Sequence, residues 1–381
     1  MHARLTWLFS IAVASTAAFV ACQDNGDGAL PAGPGLHFDG ADASSDGSLE
    51  RDDSGDVVAP RPDAGGDACV ETTSASPDGD VAVGPTTLAF DPCGVGSPDA
   101  LYWDAKGQLL YIADDRNNQI WSWSDANGFQ KVATVPNDPA ADDAGATRLS
   151  GITVTGTTLV VARYGNGAFG ALYSYDLATG GGMATTIGSV DATRYRTALA
   201  ADGTGTVYSD SFAADAGDGG GGTIDIVGLT GTTPFLSGLD RPAGLLIVGT
   251  EIFVSDRAQN VIYQVPTDLA LLDAGTAADA DAEAGAIVDA STSPYPVYAS
   301  LPAPDQLSAG PNGSLFAGEK LSDGGAPQVR QVFVDGGVVT FQPTVTFTSL
   351  AGVAYDDAAK RLFVADSNGG AVRTIKIYPA Q

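Results

Sequence analysis

The stretch Arg361-Leu362-Phe363-Val364-Ala365-Asp366-Ser367-Asn368 contains the pattern that decides the fold of this chain. In it a short apolar run ends in an aspartate, and an aliphatic residue, Val372, returns six residues after that aspartate. The same unit occurs without gaps at 110–120 and at 252–262. Short apolar runs joined by a turn of small and polar residues predict a strand, a turn and a second strand.

The spacing of these units predicts the architecture. Weaker copies end at Arg163, Asp210 and Glu319, and the successive intervals from 114 to 366 are 49, 47, 46, 63 and 47 residues. A regular period in the forties, with four short strands in each repeat, is typical of β-propeller blades. The sequence therefore predicts one all-β propeller of about six four-stranded blades over 83–381. The long interval contains a low-complexity insertion at about 270–293, expected between the fourth and fifth blades.

The two ends of the repeat predict how the ring closes. The last unit has room for three strands before Gln381, whereas 86–90 reads as a strand with no blade of its own. We expect this N-terminal strand to supply the missing outer strand of the last blade.

Two known families share parts of this pattern. The segments 350–355 and 361–368 resemble the NHL repeat, in which a Pro/Leu-x-Gly-Ile/Val strand leads to a Val-Ala-Asp-x-x-Asn turn. The block from Ser97 to Trp123 is similar to the first blade of the gluconolactonase and regucalcin family. The second resemblance implies a divalent cation at the channel mouth, held by a Glu, two Asn and an Asp from the starts of the innermost strands.

The positions equivalent to these ligands lack the residue types that the family uses. They are Asp99, Ser150, Thr197, Ala243, Gln306 and Ala351, with Asp305 next to Gln306. Asp99 stands in the place of the family's glutamate and is the one candidate metal ligand, while Asp99, Thr197, Asp305 and Gln306 are the candidates for the channel mouth. One or two oxygen ligands do not make a catalytic site, although they leave room for a Ca²⁺ site.

Several catalytic chemistries are excluded by composition and motif context. Histidine occurs at positions 2 and 37 alone, so a Ser-His-Asp or Cys-His system cannot be assembled in the propeller. The stretch 165–170 matches the dinucleotide fingerprint G-x-G-x-x-G, but a strand-like run follows it where that motif needs a helix. The sequence therefore assigns no catalytic residue and no cofactor-binding residue.

Two residue sets have both a functional and a structural interpretation. The acids at the ends of the second strands could form a ring of carboxylates, but their repetition favours stabilisation of turns through backbone N–H groups. These acids are Asp114, Asp210, Asp256, Glu319 and Asp366. Trp103, Trp121 and Trp123 could stack on a sugar or peptide, but the alternation of 121–123 favours packing between blades.

The N-terminus predicts export. Arg4 precedes an uncharged run from Leu5 to Val20 that is shorter than a membrane span, and 1–21 is therefore predicted to be a signal peptide. Residues 19–22 resemble the lipobox of bacterial lipoproteins, which implies lipidation of Cys22; an ordinary secretory signal cut nearby is the alternative. The resemblance further implies the outer membrane, because Gln23 follows the cysteine where an Asp, in some bacteria, retains lipoproteins in the inner membrane.

The segment after the signal predicts a spacer. Residues 22–82 consist mainly of Asp, Gly, Ala, Ser and Pro, which cannot bury enough apolar area to offset the entropy of ordering. We expect a disordered acidic tether. With Cys22 lipidated, Cys69 and Cys93 are expected to form a disulfide in an oxidising compartment.

The charge balance restricts the partners. The chain has 46 Asp and Glu against 18 Lys and Arg, a formal net charge of −28, which argues against nucleic acid and anionic lipid. We expect a monomeric, lipid-anchored propeller of the cell envelope that binds an unknown envelope protein, peptide or glycan without catalysis. In this hypothesis the chain contacts the membrane through its lipid anchor alone. A metal-dependent lactonase or hydrolase of the gluconolactonase type is the alternative.

Overall fold

The protein is an all-β propeller with almost no helix. The structure, a computed structural model, describes residues 86–89, 96–136, 148–165, 170–180, 182–213, 221–268, 288–289, 296–319, 327–341, 347, 349–367 and 371–376. The predicted signal peptide, the tether, the three cysteines and most of the predicted insertion lie outside these residues. No helix in this part of the chain has the length and apolar character needed to cross a membrane.

The strands are numbered in chain order. They are β1 Thr86–Ala89, β2 Pro98–Asp104, β3 Leu109–Asp114, β4 Gln119–Ser124, β5 Gly128–Thr134, β6 Leu149–Thr155, β7 Thr158–Arg163, β8 Ala171–Asp176, β9 Thr185–Thr186, β10 Arg194–Tyr195, β11 Leu199–Ala201, β12 Val207–Ala213, β13 Gly222–Gly228, β14 Gly231–Leu239, β15 Pro242–Val248, β16 Glu251–Asp256, β17 Val261–Pro266, β18 Val288–Asp289, β19 Val297–Ser300, β20 Pro304–Ala309, β21 Leu315–Glu319, β22 Gln328–Val332, β23 Val338–Phe341, β24 Leu350–Asp356, β25 Arg361–Asp366 and β26 Ala371–Lys376. A short 3₁₀ turn covers Pro311–Gly313.

Within the described residues these strands form six sheets, numbered here in chain order. Sheets 1, 2, 4, 5 and 6 are four-stranded blades with the orders β2-β3-β4-β5, β6-β7-β8-β9, β15-β16-β17-β19, β20-β21-β22-β23 and β24-β25-β26-β1. Sheet 3 has the order β10-β12-β13-β14-β18, and β11 also pairs with β12. The innermost strands β2, β6, β11, β15, β20 and β24 contact one another in a closed ring.

The expectation of six four-stranded blades is wrong. The structure has five four-stranded blades, and the remaining sheet, sheet 3, has six strands. Its innermost strand is interrupted at 196–198, so β10 and β11 pair separately with successive parts of β12. Its outer edge gains β18, which pairs in parallel with β14. Since β18 lies between β17 and β19, the insertion falls inside the fourth sheet and not, as predicted, between the fourth and fifth.

The N-terminal strand closes the ring as the sequence predicts. β1 pairs antiparallel with β26, with Thr86 opposite Thr374 and Ala89 opposite Ala371. Sheet 6 therefore contains strands from both ends of the described chain.

Packing between sheets explains two sequence features. Trp103 and Trp123 of sheet 1 lie with their ring centres 5.4 and 5.5 Å from that of Phe363 in sheet 6, which confirms the core-packing interpretation for these two rings. The glycines near the starts of the innermost strands allow neighbouring backbones to approach. A Cβ atom on Gly352 would lie 2.6 Å from the carbonyl oxygen of Asp99, and one on Gly244 would lie 2.2 Å from that of Asp305.

Candidate functional site

The channel mouth is the end of the ring at which the innermost strands begin and the second strands end. At this end, strand-final aspartates fix the start of the innermost strand of their own sheet. Asp114 accepts a hydrogen bond of 3.0 Å from the backbone N–H of Ser97, and Asp366 accepts one of 3.0 Å from that of Ser349. Asp256 accepts bonds of 2.8 and 3.1 Å from two consecutive N–H groups, at 240 and 241. The turn-stabilising interpretation of these aspartates is therefore confirmed.

Two sheets have another residue in place of this aspartate, and the turn-stabilising prediction is wrong for Glu319, because no backbone N–H group donates to its carboxylate. Arg163 is fully buried, donates to the carbonyl oxygen of Pro136 and lies over the ring of Tyr173 at 4.9 Å. Glu319 is fully buried and forms an ion pair of 2.9 Å with Arg330. Burial raises the pKa of Glu319, and Arg330 opposes that increase. The strand-end acids thus serve their own sheets and do not converge on a common ligand.

The Gln306 side chain at the mouth forms hydrogen bonds that were not predicted from the sequence. Its amide nitrogen donates to the carbonyl oxygens of Ser150, at 3.0 Å, and Thr197, at 2.9 Å. Gln306 belongs to sheet 5, whose neighbours in the ring are sheets 4 and 6, whereas its two partners belong to sheets 2 and 3. The side chain therefore crosses the channel.

Thr197 and Asp305 are also engaged within the ring. The Thr197 hydroxyl and backbone N–H both donate to the carboxylate of Asp210, and the hydroxyl is also 3.3 Å from the carbonyl oxygen of Pro242 in sheet 4. Asp305 forms an ion pair of 2.7 Å with Arg257, and its side chain is 9% exposed. Asp99 lies half-buried near the start of β2.

The residues at the mouth do not fit the cation that the family resemblance implies. Within the described chain, no group of three or more His, Cys, Asp or Glu side chains is placed to hold a metal ion. Asp305 is neutralised by Arg257, and Gln306 presents N–H donors where a cation would need oxygen ligands. Asp99 alone cannot supply the charge and ligand number that a divalent site requires.

Asp210 has the most perturbed carboxyl at this end. It accepts hydrogen bonds of 2.7 and 2.8 Å from the N–H groups of Thr197 and Ala198, and it is fully buried. Burial raises its pKa to about 7, although these bonds and the nearby Arg196 act in the opposite direction. Arg196 is itself fully buried, which lowers the pKa of its guanidinium.

Sheet 3 also contains a polar network that was not predicted from the sequence. The Arg194 guanidinium donates to the Ser211 hydroxyl at 2.8 Å, and that hydroxyl donates to Asp225 at 3.0 Å. Thr223 donates to the same carboxylate at 2.9 Å. The signal was present in the sequence, because Ser211, Thr223 and Asp225 are polar residues in buried strands. The network holds β10 against β12 and β13.

In the glycine-rich stretch 165–170 the structure describes residues 165 and 170, and Gly170 has a role in packing. β8 begins at Ala171, so a strand follows the motif as predicted. A Cβ atom on Gly170 would lie 2.2 Å from the carbonyl oxygen of Arg194. This glycine therefore permits close contact between sheets 2 and 3.

Comparison with known proteins supports the fold. No family model and no curated protein matches the chain. A gluconolactonase from Xanthomonas campestris superposes with a TM-score of 0.54 and 16% identity, over 77% of this chain and 89% of that one. The calcium-binding protein regucalcin from Agrobacterium tumefaciens gives 0.53 and 14%, over 77% and 93%. A PQQ-bound aldose sugar dehydrogenase from Streptomyces coelicolor gives 0.52 and 14%, over 76% and 96%. The TM-scores show a shared propeller architecture, and identities this low show nothing about chemistry.

Proposed function

We propose that this chain is a non-catalytic binding propeller of the cell envelope. The observation that carries the proposal is the internal use of the polar groups at the channel mouth. Asp305 is paired with Arg257, Thr197 with Asp210, and Gln306 with two backbone carbonyl groups across the channel. Side chains that hold one another in this way stabilise the ring and are not presented to a substrate.

The surface best suited to a partner is the hairpin between β22 and β23. Its exposed apolar side chains line a shallow, open depression of about 490 Å³. They are Phe333, Val334, Val338 and Val339, with exposures of 37, 68, 40 and 49%. In the described chain β23 is the outermost strand of sheet 5, so its outer edge can accept an extended peptide strand. We therefore propose an apolar segment of an envelope protein as the partner.

A photo-crosslinking amino acid at Val334, introduced in the full chain, tests this surface against an envelope fraction. We expect a discrete crosslinked product that Val339→Asp abolishes. Leu229→Asp is the matched control, because Leu229 is 95% exposed in sheet 3 and should leave the product unchanged. A product that persists in Val339→Asp would mean that the partner does not bind through this apolar surface.

The location of the chain is part of the proposal and rests on the sequence of the first 23 residues. Radiolabelled palmitate should enter the full-length chain in a bacterial host that processes lipoproteins, and Cys22→Ser should abolish the labelling. Export with no label in the wild-type chain would favour an ordinary secretory signal.

A metal-dependent lactonase is the second candidate, supported by the shared fold with a gluconolactonase and with calcium-binding regucalcin. Assay of the full chain on lactones and simple esters, with Ca²⁺, Mg²⁺, Mn²⁺ or Zn²⁺, separates the candidates. The binding proposal predicts no cation-dependent hydrolysis. Cation-dependent turnover that Asp99→Ala abolishes would overturn it in favour of the lactonase.

A further inference from the structure

We propose that the amide nitrogen of Gln306 takes the place of a cation at the channel mouth, and that exchanging this nitrogen for oxygen creates a site for Ca²⁺. The amide closes the channel by joining sheet 5 to sheets 2 and 3. This inference concerns the ring itself and does not depend on which partner the propeller binds.

Two backbone carbonyl oxygens, of Ser150 and Thr197, converge on the amide nitrogen of Gln306. A primary amide has two N–H donors, and both are used, at 3.0 Å to Ser150 and 2.9 Å to Thr197. Both carbonyl groups lie where innermost strands begin, on sheets that do not neighbour sheet 5. Backbone carbonyl oxygens gathered from different elements are also the ligands that Ca²⁺ accepts.

The carbonyl groups are held in place independently of Gln306. The Ser150 hydroxyl donates to the carbonyl oxygen of Arg196 at 2.5 Å, which joins sheets 2 and 3 at this point. The Thr197 N–H is fixed by Asp210 at 2.7 Å. The pair of carbonyl oxygens is therefore a preformed feature of the ring.

The charge balance explains why an amide suits this position. Buried charge requires a compensating charge, and Asp305, the carboxylate next to Gln306 in the chain, is already paired with Arg257. A neutral N–H donor satisfies the two carbonyl oxygens without adding a charge. Replacement by glutamate places carboxylate oxygens against the two carbonyl oxygens, and Ca²⁺ can bridge these oxygens while water fills its remaining coordination positions.

The test measures thermal unfolding of the full chain with a chelator and with millimolar Ca²⁺. Gln306→Glu should unfold at least about 5 °C below wild type in chelator and regain at least half of that difference with Ca²⁺. Wild type and Gln306→Ala should not respond to Ca²⁺, and calorimetric titration should show one Ca²⁺ per chain for Gln306→Glu alone.

The matched control is Gln331→Glu. Gln331 is a buried glutamine whose amide donates to the Ser314 hydroxyl at 2.8 Å, and a hydroxyl can turn to donate to a carboxylate. This variant should show no Ca²⁺ response. A stoichiometric Ca²⁺ response of wild type, or a Gln306→Glu variant that is as stable as wild type in chelator or insensitive to Ca²⁺, would overturn the inference. Partner crosslinking at Val334 is a separate readout, so its failure would leave this result standing.

Discussion

Arg361 of sheet 6 donates two hydrogen bonds, of 2.8 and 2.9 Å, to the carboxylate of Asp125 in sheet 1. The guanidinium also lies 5.0 Å from the ring centre of Trp123 and 4.9 Å from that of Phe363. A further ion pair of 3.1 Å joins it to Asp356. Together with the β1–β26 pairing, this arginine joins the first and last sheets of the ring.

The first prediction compares the free energy contributed by the Asp125 ion pair with that contributed by the packing of Arg361 on the aromatic rings. Asp125 is 74% exposed, so its ion pair contributes at most about 1 kcal/mol. The arginine is 18% exposed and covers two aromatic faces, so Arg361→Ala should cost about 2 kcal/mol or more. Urea unfolding of both variants measures the difference. Equal losses for Asp125→Asn and Arg361→Ala would mean that the ion pair, and not the stacking, joins the sheets.

The second prediction concerns pH and Asp210. Its pKa is about 7 in the folded chain against an ordinary value of 3.8, so the folded state binds more protons than the unfolded state between these values. The contribution of this group to stability is fully present below about pH 4 and falls as pH rises to about 7, by at most about 4 kcal/mol. Asp114 and Asp256 act in the same direction because burial raises their pKa values too.

Asp210→Asn isolates this effect, since the amide oxygen can still accept the two backbone N–H groups. We expect the variant to have a flatter profile of unfolding free energy between pH 4 and pH 7 than wild type. Urea unfolding at unit intervals from pH 4 to pH 8 measures it. Parallel profiles for the two proteins would show that the folded-state pKa of Asp210 is not raised.

The third prediction tests the close approach of the innermost strands. Gly352→Ala should lower the free energy of unfolding by about 2 kcal/mol or more, because its Cβ atom would lie 2.6 Å from a backbone oxygen of sheet 1. Gly203→Ala is the control, since a Cβ atom there meets no atom within 4 Å. The two variants are compared by thermal unfolding. A tolerated Gly352→Ala would mean that the ring can widen at this joint.

The fourth prediction concerns closure by β1. Deletion of 83–90 removes the antiparallel partner of β26 and should destabilise the whole ring, so that unfolding remains one transition at a lower midpoint. Circular dichroism and tryptophan fluorescence should report the same midpoint, because the tryptophans of sheet 1 pack against sheet 6. A change confined to sheet 6, with an unaltered main transition, would contradict this prediction.

The sequence predicted the architecture because the repeat is local. Each unit of apolar run, aspartate and turn specifies a hairpin, and in the described chain Asp114, Asp256 and Asp366 bond to the backbone of their own sheet. Such contacts are encoded within about 17 residues, so spacing alone reveals them. The closing strand could be predicted for the same reason, since one strand was missing at one end and one was left over at the other.

Tertiary structure decided the features that depend on distant residues. The position of the insertion inside sheet 4, and the pairing of β18 with β14, depend on which edge lies nearby in space. The partners of Gln306 are 109 and 156 residues away along the chain. The sequence thus determined the six repeated units and the absence of histidine chemistry in them. Closing the ring decided which oxygens meet at the channel mouth, because opposite sheets have no short-range pattern that relates their residues.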